Sequence, residues 1–140
     1  MNASQLMTPD PVSVGPATTV AEVWDLMREM DIRHVPVVER GALVGMVSDR
    51  ELAGLDVAAV LATHGADALR QALAAPVVRV MSTDVTAIDT DTDLSEAIAL
   101  FIGRKVGALP VVRSDTRELT GILSYIDVLR AVQARLGEPE

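Results

Sequence analysis

The chain has no cysteine, one residue each of Trp, Tyr and Phe, and more acids than bases, and each shortage excludes a class of protein. Without cysteine there are no disulfides, no thiolate nucleophile and no cysteine-ligated metal, a composition compatible with a reducing cytosol and an expected cytoplasmic location. Trp24, Phe101 and Tyr125 are too few to form the stacking platforms of single-stranded nucleic acid binders. A formal charge of -8 argues against phosphate-neutralising basic clusters, so no nucleic acid partner is expected. Long apolar runs are missing too. The Ala-rich stretch 57–75 is interrupted by His64, Gly65, Asp67 and Arg70, short of the roughly 18 uninterrupted apolar residues of a membrane span. The opening "MNASQLMTPDP" has no basic stretch followed by an apolar core, so neither a signal peptide nor a membrane partner is expected.

What is present is aliphatic. At 140 residues and 49% hydrophobic, the chain suffices for one compact domain with a core of Leu, Val and Ala.

The chain also repeats itself. Met7 aligns with Met81, and the offset of 74 holds without a gap through Pro36 and Pro110, pairing Asp10 with Asp84, Thr18 with Thr92 and Glu22 with Glu96. Two extra residues then enter the second copy, where "ERGAL" becomes "RSDTREL", after which Gly45 meets Gly121, Ser48 meets Ser124 and Glu51 meets Asp127. An insertion confined to a polar segment between two apolar runs is what a hairpin loop tolerates.

Each copy reads as short strand, helix, strand, strand, helix. "TTVAEVWDLMREM" opens on a capping-box pattern, Thr19 with Glu22, and puts Val20, Val23, Met27 and Met30 on one helical face. "DTDLSEAIALFI" does the same with Asp93 and Glu96, then Leu94, Ala97, Ile98 and Phe101. "HVPVV" and "ALPVV", each followed by a polar turn and then "LVGMVS" or "LTGILS", predict two hairpins. Helices are expected over "DRELAGL" and "YIDVLRAVQARL", with one or two more in the Ala-rich connection. The expected fold is α+β, two β-α-β-β-α repeats about a pseudo-twofold axis, packed sheet to sheet with ligand clefts between them. The first motif with its helical connection covers 1–75 and the second 76–140. Neither copy alone buries its apolar face well, because roughly 50 to 60 residues give a marginal core.

The doubled "G-h-h-S-x-x-[DE]" carries the chemistry. Glycine lets a ligand approach the backbone, serine at a strand end offers a hydroxyl beside free helix N–H groups, and the acid three residues on can accept from vicinal ribose hydroxyls. The same spacing is also a helix capping box, and the two readings are compatible.

These signals together resemble a tandem pair of cystathionine-β-synthase (CBS) motifs, a Bateman module, over nearly the whole chain: "LMT" or "VMS", an amphipathic helix, "P-V-V", then "GMVSDRE" or "GILSYID". The resemblance implies a non-catalytic regulatory module for adenosine-containing ligands such as AMP, ADP, ATP or S-adenosylmethionine, a sensor that needs no cofactor. It implies one site of Ser124, Asp127 and Ile122 with Thr8, Val12 and Ser13 about the base, and another of Ser48 and Glu51 with Ser82, Thr86 and Ala87. Arg33 and His34, before the first "P-V-V", and Arg50 are placed for a phosphate; Gly107 and Ala108 stand in the matching places of the second copy. One site would then prefer a phosphorylated ligand and the other a nucleoside-like one or nothing. It further implies a homodimer and a regulated protein partner. Arg33 with His34 also reads as a strand edge, Arg50 as a solvated helix residue, and Trp24 as core or dimer surface. No metal site is expected from two distant histidines, nor from "DTDTD" without the rest of an EF-hand. No Walker loop or G-x-S-x-G elbow is present, so no enzyme is expected. The alternative is a ligand-free interaction or dimerisation module.

Overall fold

A computed structural model describes residues 1–53 and 57–138, and the chain forms two compact units, Met1–Pro11 with Thr86–Glu140, and Val12–Val85. In chain order the elements are α1 (Ala3–Leu6), β1 (Thr8–Pro9), α2 (Val20–Met30), β2 (His34–Glu39), β3 (Ala42–Ser48), α3 (Asp49–Ala53), α4 (Val57–Ala74), β4 (Ile88–Asp89), α5 (Leu94–Arg104), β5 (Ala108–Val112), β6 (Leu119–Ser124) and α6 (Tyr125–Leu136). The architecture is α+β with two repeats. Among the described residues no helix is long and apolar enough to cross a membrane. The helix expected over "DRELAGL" is described through Ala53, and residues 54 and 55 lie outside the described residues.

In the unit Val12–Val85, the β2–β3 hairpin turns through Arg40 and Gly41, both at positive φ, the backbone of a tight two-residue turn. Val14 bridges Val37 in parallel on one side and Ser82 bridges Met46 antiparallel on the other. Helix α2 covers the hairpin because Val20, Val23 and Met27 recur at helical spacing and join Val35, Val37, Val47, Leu52 and Val77 in one core. Its first turn is closed reciprocally: Glu22 N–H donates to Thr19 Oγ1 (3.2 Å) and Thr19 N–H donates to Glu22 Oε2 (2.9 Å). Met30, expected on the buried face, is 52% exposed, because the helix ends there and the chain turns away through Asp31 in the left-handed region. The Ala-rich connection becomes α4, whose helical path breaks at Gly65 (φ 87°), so two helical segments form as the sequence allows.

In the unit Met1–Pro11 with Thr86–Glu140, one sheet runs in the order β1-β6-β5-β4, with β4 parallel to β5 and the other pairs antiparallel. Strand β5 is buried along all five residues, as expected of an unbroken apolar run between two neighbours. Ala3, Ile88, Ala97, Leu109, Val111, Leu123 and Val128 form the core. Helix α5 departs from the expected capping box: Asp93 accepts from the N–H (3.1 Å) and hydroxyl (2.6 Å) of Ser95, and among the described residues Glu96 does not return a bond to it.

The two units obey one register. Val14 against Val37 becomes Ile88 against Val111, and Met46 against Ser82 corresponds to Ile122 against Thr8. Both hairpins shift register at the same place, between Val37 and Val38 and between Val111 and Val112, a bulge just ahead of the repeated glycine. Each glycine lets a leading segment cross closely. A Cβ on Gly45 would stand 3.0 Å from the Ser82 carbonyl oxygen and against the Met81 thioether; one on Gly121 would stand 3.1 Å from the Thr8 carbonyl oxygen and against Met7. Gly45→Val and Gly121→Val are therefore expected to lose about 1–3 kcal/mol each in urea unfolding, the range for overpacked interiors. Gly15→Ala, with open space at its Cβ, is expected to stay within about 0.5 kcal/mol of the parent.

Candidate ligand-binding site

Both repeated motifs lie where a strand ends and a helix begins. At the end of β6, Ser124 has extended backbone and caps α6: Asp127 N–H donates to Ser124 Oγ (3.2 Å), and Ser124 N–H donates to Asp127 Oδ2 (2.9 Å). The capping reading therefore holds in full. It leaves two groups over, the Ser124 hydroxyl proton and Asp127 Oδ1, neither of which has a partner among the described residues. Thr8 stands opposite Ile122, and Ile122 shares a sheet face with Ser124, so Thr8, Ile122, Ser124 and Asp127 come together in one unit. Ala108 is opposite Ser124, and Tyr125 N–H donates to the Gly107 carbonyl (3.2 Å). Thr86 and Ala87 lead into β4 at the opposite edge of this sheet from β1.

At the end of β3 the same junction is wired differently. Ser48 N–H donates to Glu51 Oε2 (2.8 Å), and the Ser48 hydroxyl donates to that same oxygen. One extra methylene carries the glutamate far enough to take the hydroxyl proton that Ser124 keeps. His34 faces Ser48 across the hairpin, and Asp49 N–H donates to the Arg33 carbonyl (2.9 Å), so Arg33, His34, Ser48, Arg50 and Glu51 crowd one end of β2–β3. Arg33 and Arg50 are exposed, and neither guanidinium forms an ion pair among the described residues. Ser82 joins this unit by two backbone bonds with Met46 (2.8 and 3.0 Å), two residues before Ser48, while Val12 and Ser13 lead into the Val14 bridge. Asp49 is a member of this group that sequence reasoning missed; its place beside Ser48 at a helix start was the available signal.

Helices α2 and α3 also frame an open groove of about 420 Å³, lined by Trp24, Met27, Arg28, Asp31, Ile32, Asp49, Leu52 and Ala53. Trp24 thus packs on the core with one side and borders this groove with the other.

Burial lowers the pKa of the half-buried His34 from its ordinary 6.5; the Asp49 and Glu51 carboxylates oppose the shift, and Arg33 and Arg50 add to it. As pH falls below about 6.5 the unfolded chain therefore takes up this proton before the folded one does, and folding stability drops. His34→Gln is expected to flatten that drop as pH falls through the ordinary histidine range near 6.5 in urea titrations. Identical slopes for parent and variant would refute this account of His34.

The CBS domain profile matches residues 3–57 and 77–134. The CBS domain-containing protein YhcV of Bacillus subtilis is 32% identical over 122 residues, 87% of this chain and 79% of that protein. Two further curated relatives are longer, and the chain spans less than half of their length. Among solved structures, CBSX2 in complex with AMP superposes with a TM-score of 0.80 at 28% identity, covering 96% of this chain and 98% of that one. The CBS domain pair of MJ0100, in complex with 5′-methylthioadenosine and S-adenosyl-L-methionine, has the same fold, with a TM-score of 0.79 at 18% identity over 96% of this chain and 98% of that one. The two matched segments carry the two strand-to-helix junctions described above, and the chain belongs to the CBS domain family, with two copies of that domain.

Proposed function

We propose that this CBS pair is a non-catalytic regulatory module that binds adenosine-containing ligands, AMP, ADP, ATP or S-adenosylmethionine, at its two Ser-x-x-acid junctions. In this reading it is a cytoplasmic energy or metabolite sensor acting on a regulated protein. The repeat boundaries are 1–75 and 76–140, together one Bateman module. The observation that carries the proposal is the open oxygen of Asp127 beside the free Ser124 hydroxyl at the end of β6. A carboxylate fixed by one oxygen on the backbone presents the other to ribose hydroxyl donors without further ordering cost. The AMP complex of CBSX2, similar over nearly the whole chain, supports the choice of ligand.

A homodimer is part of the proposal. Tyr125, Ile126, Leu129, Val132 and Leu136 recur at helical spacing along α6 and are 37–82% exposed, an apolar stripe of the kind that marks an interaction surface. Light scattering is expected to give twice the chain mass for the parent, and Leu129→Glu is expected to shift the population toward monomer. A monomeric parent at all concentrations would remove the dimer from the proposal.

The second reading, a ligand-free interaction module, draws on the fact that both acids already bond the backbone as caps. Thermal unfolding with AMP, ADP, ATP and S-adenosylmethionine separates the two. Binding to the native state alone stabilises by about 2.7 kcal/mol at a hundredfold excess over Kd. Asp127→Asn keeps an acceptor for Ser124 N–H but turns the free oxygen into a donor, mismatched to ribose. A nucleotide-dependent rise in Tm that shrinks in Asp127→Asn supports the sensor; no rise with any of the four supports the interaction module.

A further inference from the structure

The repeat places the same two helices in each unit, yet their outer faces have opposite shapes. In the unit Val12–Val85 the face of α2 and α3 is hollow. Its groove of about 420 Å³ is edged by exposed Arg28, Asp31, Asp49 and the small Ala53, over buried Met27 and Leu52. The repeat puts Ile102, Lys105, Tyr125 and Leu129 in the matching edge positions of the other unit. There the side chains stand out: Ile102 is 71% exposed, Leu129 56% and Tyr125 46%, with Val106, the counterpart of Ile32, at 37%. Helix α5 packs beside α6 as α2 packs beside α3, so the residues that edge a groove in one unit make a ridge in the other.

The charges oppose each other as the shapes do. On α2, its C-cap and α3, exposed Glu22, Asp25, Glu29, Asp31 and Asp49 outnumber Arg28 and Arg50. On α5, its C-cap and α6, exposed Arg104, Lys105, Arg130 and Arg135 outnumber Glu96. We infer that the α5–α6 ridge of one copy of this chain seats in the α2–α3 groove of a second copy. The inference rests on the self-association proposed above and names the surface on which the exposed α6 stripe docks.

Only the mixed pairing satisfies both faces. Ridge against ridge would bury the apolar side chains but gather Lys105 and Arg130 of both copies at one contact, and like charges brought together cost energy. Groove against groove would set Asp31 and Asp49 against acids and leave the hollow unfilled, forfeiting the packing contacts of its lining. Ridge in groove covers Met27 and Leu52 with apolar side chains and brings cations to the acidic edge. It also covers Trp24, an aromatic of the kind that anchors protein interfaces. Each copy carries one ridge and one groove, so the contact joins unlike surfaces, head to tail.

Sedimentation of the whole chain and of two surface variants, alone and mixed, tests the pairing. Ile102→Glu spoils the ridge and Ala53→Arg fills the groove with a cation; both positions are exposed, so the far-UV circular dichroism of the parent is expected in each. Each variant alone is expected to raise the dissociation constant of self-association about tenfold or more. Mixed in equal amounts, well above the parent's dissociation constant, they are expected to regain a species of twice the chain mass, because the intact ridge of one meets the intact groove of the other. Raising salt from about 0.05 to 0.5 M is expected to weaken association of the parent. Loss of association in Ile102→Glu with none in Ala53→Arg, or the reverse, would mark a contact between like surfaces and overturn the pairing while leaving the dimer standing. A mixture no heavier than its separate variants would overturn it as well. A parent that is monomeric at every concentration would overturn both the pairing and the self-association on which it rests.

Discussion

Both repeats turn on one hydrogen bond, the N–H of a strand's last residue donating to an acid three residues later. That N–H points away from the hairpin partner, whose ladder runs on through Asp49 N–H to the Arg33 carbonyl and Tyr125 N–H to the Gly107 carbonyl, and an unsatisfied, half-buried donor there is costly. The acid satisfies it and in doing so starts a helix. It is also held still, with an oxygen to spare. Structure and candidate function therefore use the same atoms, and the question whether Ser-x-x-acid is a cap or a site has no either-or answer here. At Ser124 it is demonstrably a cap with capacity left over.

The repeat gives that junction twice and the surroundings make the copies unequal. Aspartate reaches only the backbone, so its serine stays free; glutamate reaches the backbone and the hydroxyl together. Around this junction the first copy places Arg33 and His34 at the start of β2 and Arg50 on the helix. The second has Gly107 and Ala108 in the matching places. Duplicated binding modules diverge most cheaply in this way, because residues at strand ends change charge without touching a core made of Val23, Val35 and Val47 in one unit and Leu109, Val111 and Leu123 in the other.

Much of this was legible in the residues, for physical reasons. Hairpins and helices follow from apolar spacing and polar turns, local signals that tertiary context did not override, while the Ala-rich connection, open between one helix and two, is broken at Gly65. The reciprocal cap of α2 was likewise readable from Thr19 and Glu22, whereas the same pattern misled at Asp93, whose carboxylate found the nearer Ser95. Met30 was misjudged because periodicity does not say which turn is the last. The cation cluster was visible as letters, but Asp49 joins it only because the hairpin folds His34 back beside the helix start.

The sequence by itself determined the repeat and its offset, legible by aligning the chain with itself, and the hairpins, caps and positions of the two acids, which neighbours a few residues away set. The residues themselves do not say which hairpin each leading segment joins; the family resemblance implied the grouping, and the tertiary structure shows the pairing, Thr8 with Ile122 and Ser82 with Met46. Local chemistry is the same at both glycines, so the choice belongs to chain connectivity and to the packing of Ala3 and Val77 into different cores. The reach of each acid was decided there too: Glu51, one methylene longer, contacts the Ser48 hydroxyl as well as its N–H, whereas Asp127 meets the Ser124 N–H.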